Sequence, residues 1–246
     1  MAHAQQQAFS LPEILENILL QLPVRDLLVN AQLVCRDWNT AIKSPTLQRA
    51  LFFLPVPGTQ IQYSRFNPLL RKVFSPWFSK TQKKNVYARG KVFKDLDWYS
   101  SHEKIAAYAI KEASWRRMLP VQPPATTFQV DAVTSSRGGG SRRLGELQFE
   151  DGVRMGTLYD YAQKTVSRPI SSFWVEWNMF PKADDDENSD TPFQEDAAWK
   201  PSPKVTMHTR HTVQCRRGMA GDVGPEFKSE GYQDLEITFV TVPRRR

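Results

Sequence analysis

His208, His211 and Cys215 stand within one short stretch and form the densest set of soft ligands in the chain. A zinc site would need four such ligands, or three and a water. A thiol nucleophile would need a histidine base that a third group orients. The surrounding Val205, Met207, Thr209, His211, Val213 and Cys215 recur at every second position and read as a strand. In a strand His211 and Cys215 share a face, while His208 points the other way. Two ligands on a face satisfy neither chemistry. Arg137-Gly138-Gly139-Gly140-Ser141 lacks the Lys-Ser/Thr ending of a phosphate cradle and reads as a loose loop. The run Asp184-Asp185-Asp186-Glu187-Asn188-Ser189-Asp190 lacks the spacing and turn glycine of a calcium loop, so residues 183–196 read as a solvated acidic loop. No paired carboxylates and no serine-elbow motif appear. The expectation is a protein with no catalytic residue, no metal and no cofactor.

With no site of this kind, the weight falls on the elements and on charge. The chain has 246 residues, 40% of them apolar, which is enough to bury a core. Its net charge of +7 is unevenly spread. Residues 1–54 carry four Lys/Arg and four Asp/Glu, whereas residues 55–120 carry thirteen against four. Residues 184–196 hold seven acidic residues and no basic one. The basic stretch has no recognition helix or RNA-binding motif beside it, which disfavours a nucleic-acid partner. The two cysteines, Cys35 and Cys215, are far apart and suggest no disulfide framework, as expected in a reducing compartment. No apolar run approaches the ~20 residues that span a bilayer, and Met1-Ala-His-Ala-Gln-Gln-Gln has no signal-peptide character. The expected location is intracellular, cytoplasmic or nuclear, with no membrane partner.

The N-terminal fifty residues are the most informative. After a flexible stretch over 1–8, Ser10-Leu11-Pro12-Glu13 predicts a capping box, with Phe9 and Ile14 placed as a hydrophobic staple. A helix follows to about Gln21, with Ile14, Leu15, Ile18, Leu19 and Leu22 at helical spacing, and Pro23 ends it. Leu27, Leu28, Ala31 and Val34 continue the pattern, as do Trp38, Ala41 and Ile42, in one bent helix or two. Ser44-Pro45 caps a last short helix through Leu47 and Leu51. So small a bundle buries little surface alone, and it is expected to complete its burial against a partner.

Leu11-Pro12-Glu13-Ile14-Leu15, Ile18-Leu19, Leu22-Pro23, Asp26-Leu27-Leu28, Val34-Cys35-Arg36-Asp37-Trp38 and Ser44-Pro45 together resemble the F-box pattern in order and spacing. The resemblance implies binding to the Skp adaptor, and through it to a cullin–RING ubiquitin ligase. It assigns the docking role to Leu11, Pro12, Ile14, Leu15, Ile18, Val34, Cys35 and Trp38, which face or support the adaptor. It also implies that any ubiquitin transfer is catalysed by other subunits. The rest of the chain would then capture a protein target, whose identity the sequence does not carry. A Skp-bound scaffold outside a ligase is the alternative, and a basic nucleic-acid-associated protein a more distant one.

Beyond the F-box, residues 55–99 read as an ordered Pro/Lys-rich connector, with two helical turns starting at Pro68. Residues 100–246 read as an α+β domain. Ser100-x-x-Glu103 predicts a helix to about Met118, and Met155, Leu158, Tyr159 and Ala162 another. Four strands are expected, around Phe128–Ala132, Phe173–Trp177, Val205–Cys215 and Leu235–Phe239, in a small antiparallel sheet with helices on one face. Three phrases, Asn67-Pro68-Leu69-Leu70, Glu112 to Pro124, and Met155-Gly156-Thr157-Leu158-Tyr159-Asp160, are similar to phrases of small fungal F-box proteins.

Overall fold

In the computed structural model, residues 11–56, 64–78, 101–166, 171–178, 203–213 and 235–242 are described. Pro12, with its missing N–H in the first turn, opens α1 (Pro12–Leu20). Leu11, in extended backbone, is the residue before it and supplies no side-chain cap, so the expected cap at Ser10 is displaced by one position. Ser10 and Phe9 themselves lie outside the described residues. Next come α2 (Val24–Val29), a 3-10 turn at Ala31–Leu33, α3 (Arg36–Ala41) and α4 (Pro45–Ala50). The middle pattern is therefore two helices with a kinked turn between them. Ser44 caps α4 by accepting from the Leu47 amide, and its hydroxyl donates to Glu16 of α1. Leu15, Leu19, Leu27, Ala31, Ile42, Leu47 and Leu51 fill the core of this bundle.

The larger core belongs to a five-stranded sheet and the elements on one of its faces. The strands are β3 (Thr127–Ser136), β4 (Gly139–Gln148), β5 (Ser171–Asn178), β6 (Lys204–Val213) and β7 (Phe239–Val242), in the order β5-β6-β3-β4-β7. The pairing β3–β6 is parallel and the other three are antiparallel, so the sheet is mixed where an antiparallel one was expected. Phe128, Val130, Phe173, Val175, Val205 and Met207 meet Met155, Leu158, Tyr159 and Ala162 of a long helix, Met155–Val166. Three strand positions followed from alternating apolar residues, while the fourth, expected at Leu235–Phe239, overlaps β7 only at Phe239; β4 did not follow at all. Its inward positions include Gly145, where a side chain would collide with Ile237, so the apolar alternation is interrupted. The Gly-rich stretch is a two-residue hairpin turn at Arg137-Gly138 rather than a loose loop, since Ser136 pairs directly with Gly139.

The stretch expected as a connector contributes to this core. β1 (Arg65–Phe66) pairs with β2 (Val121–Gln122), α5 spans Pro68–Val73, and a 3-10 turn covers Ser75–Phe78. Leu70, Phe74, Trp77 and Phe78 are buried in the larger core. Asn67 is fully buried and caps α5 by accepting from the Leu69 and Leu70 amides. The single helix expected to reach Met118 is instead two, α6 (His102–Tyr108) and α7 (Ser114–Arg117), and Ser101 rather than Ser100 is the cap. Seven residues of straight helix would hold Tyr108 and Trp115 about 10 Å apart. The break brings their rings to 5.7 Å and sets both against Phe74. The helix Met155–Val166 is accordingly α8.

The three phrases singled out beyond the F-box meet at one corner. Asn67 Nδ2 donates to the Leu119 carbonyl, and the Met155 amide donates to that of Met118. Arg116 Nη2 donates to both carboxylate oxygens of the buried Asp160 at 2.6 Å, and its guanidinium lies over the rings of Trp115 and Tyr159.

Candidate protein-docking surface

In α1 the apolar residues divide between two faces. Leu15 and Leu19 point inward, 3% and 0% exposed. Leu11, Ile14 and Ile18 recur at steps of three and four along the other side, so they form a stripe. Leu11 is 50% exposed and Ile14 39%, while Ile18 is half-buried and Pro12 is exposed. The inward set completes the bundle, so the outward stripe is not needed for its core.

Val34 and Cys35 lie in the short link between the 3-10 turn and α3, and both are exposed. Cys35, in extended backbone, is the residue from which α3 starts. Trp38, one turn into α3, is half-buried and packs against the bundle core. The eight residues singled out in the sequence thus occupy three kinds of place. Leu11, Pro12, Ile14, Val34 and Cys35 are outward, Ile18 and Trp38 are at the rim, and Leu15 is inside and can only act by supporting the others.

Among the exposed apolar residues of the bundle that escaped the sequence reading, the two most exposed are Leu33, 81% exposed at the end of the 3-10 turn, and Val29, 50% exposed at the end of α2. Their signal was present. Both are apolar residues that fit none of the inward-facing positions of the helical pattern, which is how an interface residue differs from a core one. Exposed apolar side chains concentrated on one small module mark a protein-interaction site.

Residues 9–49 match the family model described as the F-box domain. The chain carries an F-box. An F-box implies binding to the Skp adaptor and, through it, to a cullin–RING ubiquitin ligase. No curated protein and no solved structure matches the chain. The F-box match covers the first five described elements, and the mixed sheet with its helices follows it.

The residues first weighed for chemistry are placed differently. His208 and His211 do fall on opposite faces of β6, opposite Trp174 and Ser171 of β5 respectively. His208 is held between two carboxylates, Asp131 at 3.0 Å and Glu176 at 2.9 Å, with the Trp174 ring stacked on it at 4.7 Å. Asp131 in turn accepts two bonds from Arg142, at 2.8 and 2.9 Å. Burial opposes ionisation of Asp131, yet hydrogen bonds from Arg142 and His208, together with their charges, hold its carboxyl below the usual range. This cluster knits β5, β6, β3 and β4 together. Among the described residues no three His, Cys, Asp or Glu side chains stand placed to hold a metal ion. Cys215 and the acidic run lie outside the described residues. No described helix is long and apolar enough to cross a membrane.

Proposed function

We propose that the protein is a substrate-recruiting subunit. Its F-box docks on the Skp adaptor through Leu11, Pro12, Ile14, Val34 and Cys35, with Ile18 and Trp38 at the rim and Leu15 as internal support, and the remainder of the chain captures a protein target for ubiquitination. The observation that carries this reading is the outward stripe Leu11–Ile14 and the exposed Val34, on a bundle whose core is already filled by other residues. Desolvating exposed apolar side chains is worth about 25 cal/mol per Å² of area buried. A few such anchors dominate binding, so the energy is concentrated where a test can reach it.

The test is co-purification of the full chain with a Skp adaptor and a cullin. Ile14→Glu combined with Val34→Glu places charges in the contact at two exposed positions. Adaptor binding should fall at least about a hundredfold, while the thermal melt stays within about 0.5 kcal/mol of the parent, as for surface changes. Undiminished binding by this variant would refute the assignment. Recovery of the adaptor without the cullin would place the protein as a scaffold outside a ligase.

A further inference from the structure

β7 stands last in the order of the five-stranded sheet, and among the described residues it pairs with β4 alone. Every second residue of an edge strand aims its N–H and C=O away from the sheet, where another extended chain can pair with them. Natural edges are commonly blunted by a charge, a proline or a bulge. Phe239-Val240-Thr241-Val242 has no charge and no proline, its register with β4 is unbroken, and each residue type favours a strand. We propose that a segment of the protein target docks on this edge as an added strand, and that apolar and acidic residues alternate in that segment. The inference deepens the reading of the chain as a target-recruiting subunit and rests on it.

The alternation follows from the register. On the face away from the helices, Val240 stands opposite Leu144 and Val242 opposite Arg142. Val240 is 68% exposed, and the Arg142 guanidinium is already held by Asp131, so this face calls for an apolar neighbour. On the helix-bearing face, Phe239 stands opposite Gly145 and Thr241 opposite Arg143. Arg143 is exposed, and its guanidinium lies over the Phe239 ring at 5.2 Å, which carries the charge from β4 across to β7. Stacking uses the face of a guanidinium and leaves its N–H groups in the plane for a carboxylate. A strand added about 4.8 Å beyond β7 sets its side chains alternately beside Val240 and Val242 and beside the Arg143 charge. Opposite charges across neighbouring strands stabilise, which selects acidic residues for the second set. Glu236, three positions before β7, is the single acid of the segment 235–242 and places the acidic requirement toward the Thr241 end.

Neither the other edge nor a second copy of the chain fits as well. β5, at the opposite end of the order, is tied to the elements packed beside it. The Phe173 ring meets that of Trp77 at 5.2 Å, Ser171 donates to the Thr165 carbonyl of α8, and Trp177 Nε1 donates to the Trp77 carbonyl. As for a second copy, the four residues of β7 extend about 13 Å. A specific interface between two folded proteins buries about 800 Å² on each partner, which pairing along so short a strand does not approach. A linear segment needs no such area, because main-chain bonds supply its affinity and alternate side chains its specificity.

The test uses the full chain and short labelled peptides, titrated by fluorescence anisotropy at neutral pH. One peptide alternates valine and glutamate, one alternates valine and glutamine, and one holds the valines and glutamates of the first in two blocks. The alternating valine–glutamate peptide should bind saturably, at least about tenfold more tightly than the block peptide. N-methylation of its valine amides or of its glutamate amides should abolish binding in one case and spare it in the other, because only every second residue bonds to the edge. Arg143→Gln should weaken the valine–glutamate peptide about three- to fivefold and leave the valine–glutamine peptide unchanged. Val240→Asp should weaken both at least about tenfold. Adaptor binding should be unchanged in Val240→Asp, and peptide binding unchanged in the Ile14→Glu, Val34→Glu variant, so a failure at the edge is distinguishable from a failure of F-box docking. The proposal is overturned by no saturable binding, by equal binding of the block peptide, or by indifference to both methylations. A dimer in sedimentation that Val240→Asp dissolves would give the edge to a second copy and overturn it too. If Val240→Asp fails to fold, the methylated peptides and Arg143→Gln decide.

Discussion

Asp131 shows how much a single residue can hold that sequence spacing does not reveal. Its partners lie 11 positions away at Arg142 and 77 away at His208. No local pattern links them, and only the parallel β3–β6 register sets Asp131 opposite His208. The pair was legible in part: alternation put His208 and His211 on opposite faces, but not the carboxylates that claim one of them. The depressed carboxyl carries a pH signature. A group whose folded-state pKa lies below its unfolded value stabilises the fold above the unfolded value, and the contribution is lost as pH falls through the folded one. For Asp131 the loss begins below about pH 4. Asp131→Asn should therefore lower stability by about 1–2 kcal/mol at neutral pH, with the gap from the parent closing as the solution is acidified. Thermal melts between neutral pH and about pH 3 measure it. A gap that stays constant to the lowest pH would mean that the ionised form is not what stabilises.

Elements were legible where burial imposes a period and illegible where something interrupts it. The F-box helices, α8 and three of the strands follow from apolar spacing because each has one face in a core. β4 is hydrogen-bonded on both sides, yet Arg142, Arg143 and Glu146 are exposed and Gly145 takes a buried position, so it shows no apolar alternation. The break between α6 and α7 has no proline or glycine to announce it; aromatic packing on Phe74 dictates it. Gly156 shows the reverse case, a residue whose type reports a contact between elements. A Cβ there would stand 3.0 Å from the Arg116 carbonyl oxygen and 3.1 Å from the Arg116 Cβ, so α8 can approach α7 only without a side chain. Alanine is the better helix former by about 1 kcal/mol, but the obstacle is backbone, which cannot rotate away. Gly156→Ala should lower stability by about 1 kcal/mol net, and Gly156→Val by more. Chemical denaturation measures both. A stabilised alanine variant would show that the α7–α8 contact can open at little cost.

At the scale of the molecule, the boundary expected at Leu54 falls inside a hydrogen-bonded seam. α4 ends in a Schellman-type turn, with the Phe53 amide bonded to the Gln48 carbonyl and Phe52 at a φ of 63°. Glycine usually takes that left-handed position, so a phenylalanine there announces no such turn. Phe52 accepts the backbone cost while its ring is fully buried. Its carbonyl then receives the Leu119 amide, that of Phe53 receives Arg154 Nη1 at 2.6 Å, and that of Leu54 receives the side chain of the buried Gln122. Gln122 also accepts from the Val56 amide, as a neighbouring strand would. Burial pushes the Arg154 guanidinium pKa down, with Asp151 partly opposing this, so the charge sits where solvation is poor and its bonds are correspondingly strong. The same Arg154 nitrogen reaches the Arg117 carbonyl, joining the F-box end to the corner where the three other phrases meet. Those phrases are thus structural, holding the docking module on the domain that follows. Arg154→Met keeps the stem but removes both bonds, and should cost about 2–3 kcal/mol. The loss should be local: hydrogen exchange should quicken over residues 47–56 while the β3 and β6 amides keep their protection. A fragment ending at Leu54 would lose the whole seam and expose the Phe52 ring, so it should show little helix by circular dichroism until the adaptor is added. Its affinity should then fall below that of the full chain by at least about tenfold, because ordering the chain is charged against binding. Arg154→Met should lie between the two. Equal adaptor affinity for all three proteins would show that docking is indifferent to the seam, and that the F-box folds on its partner unaided.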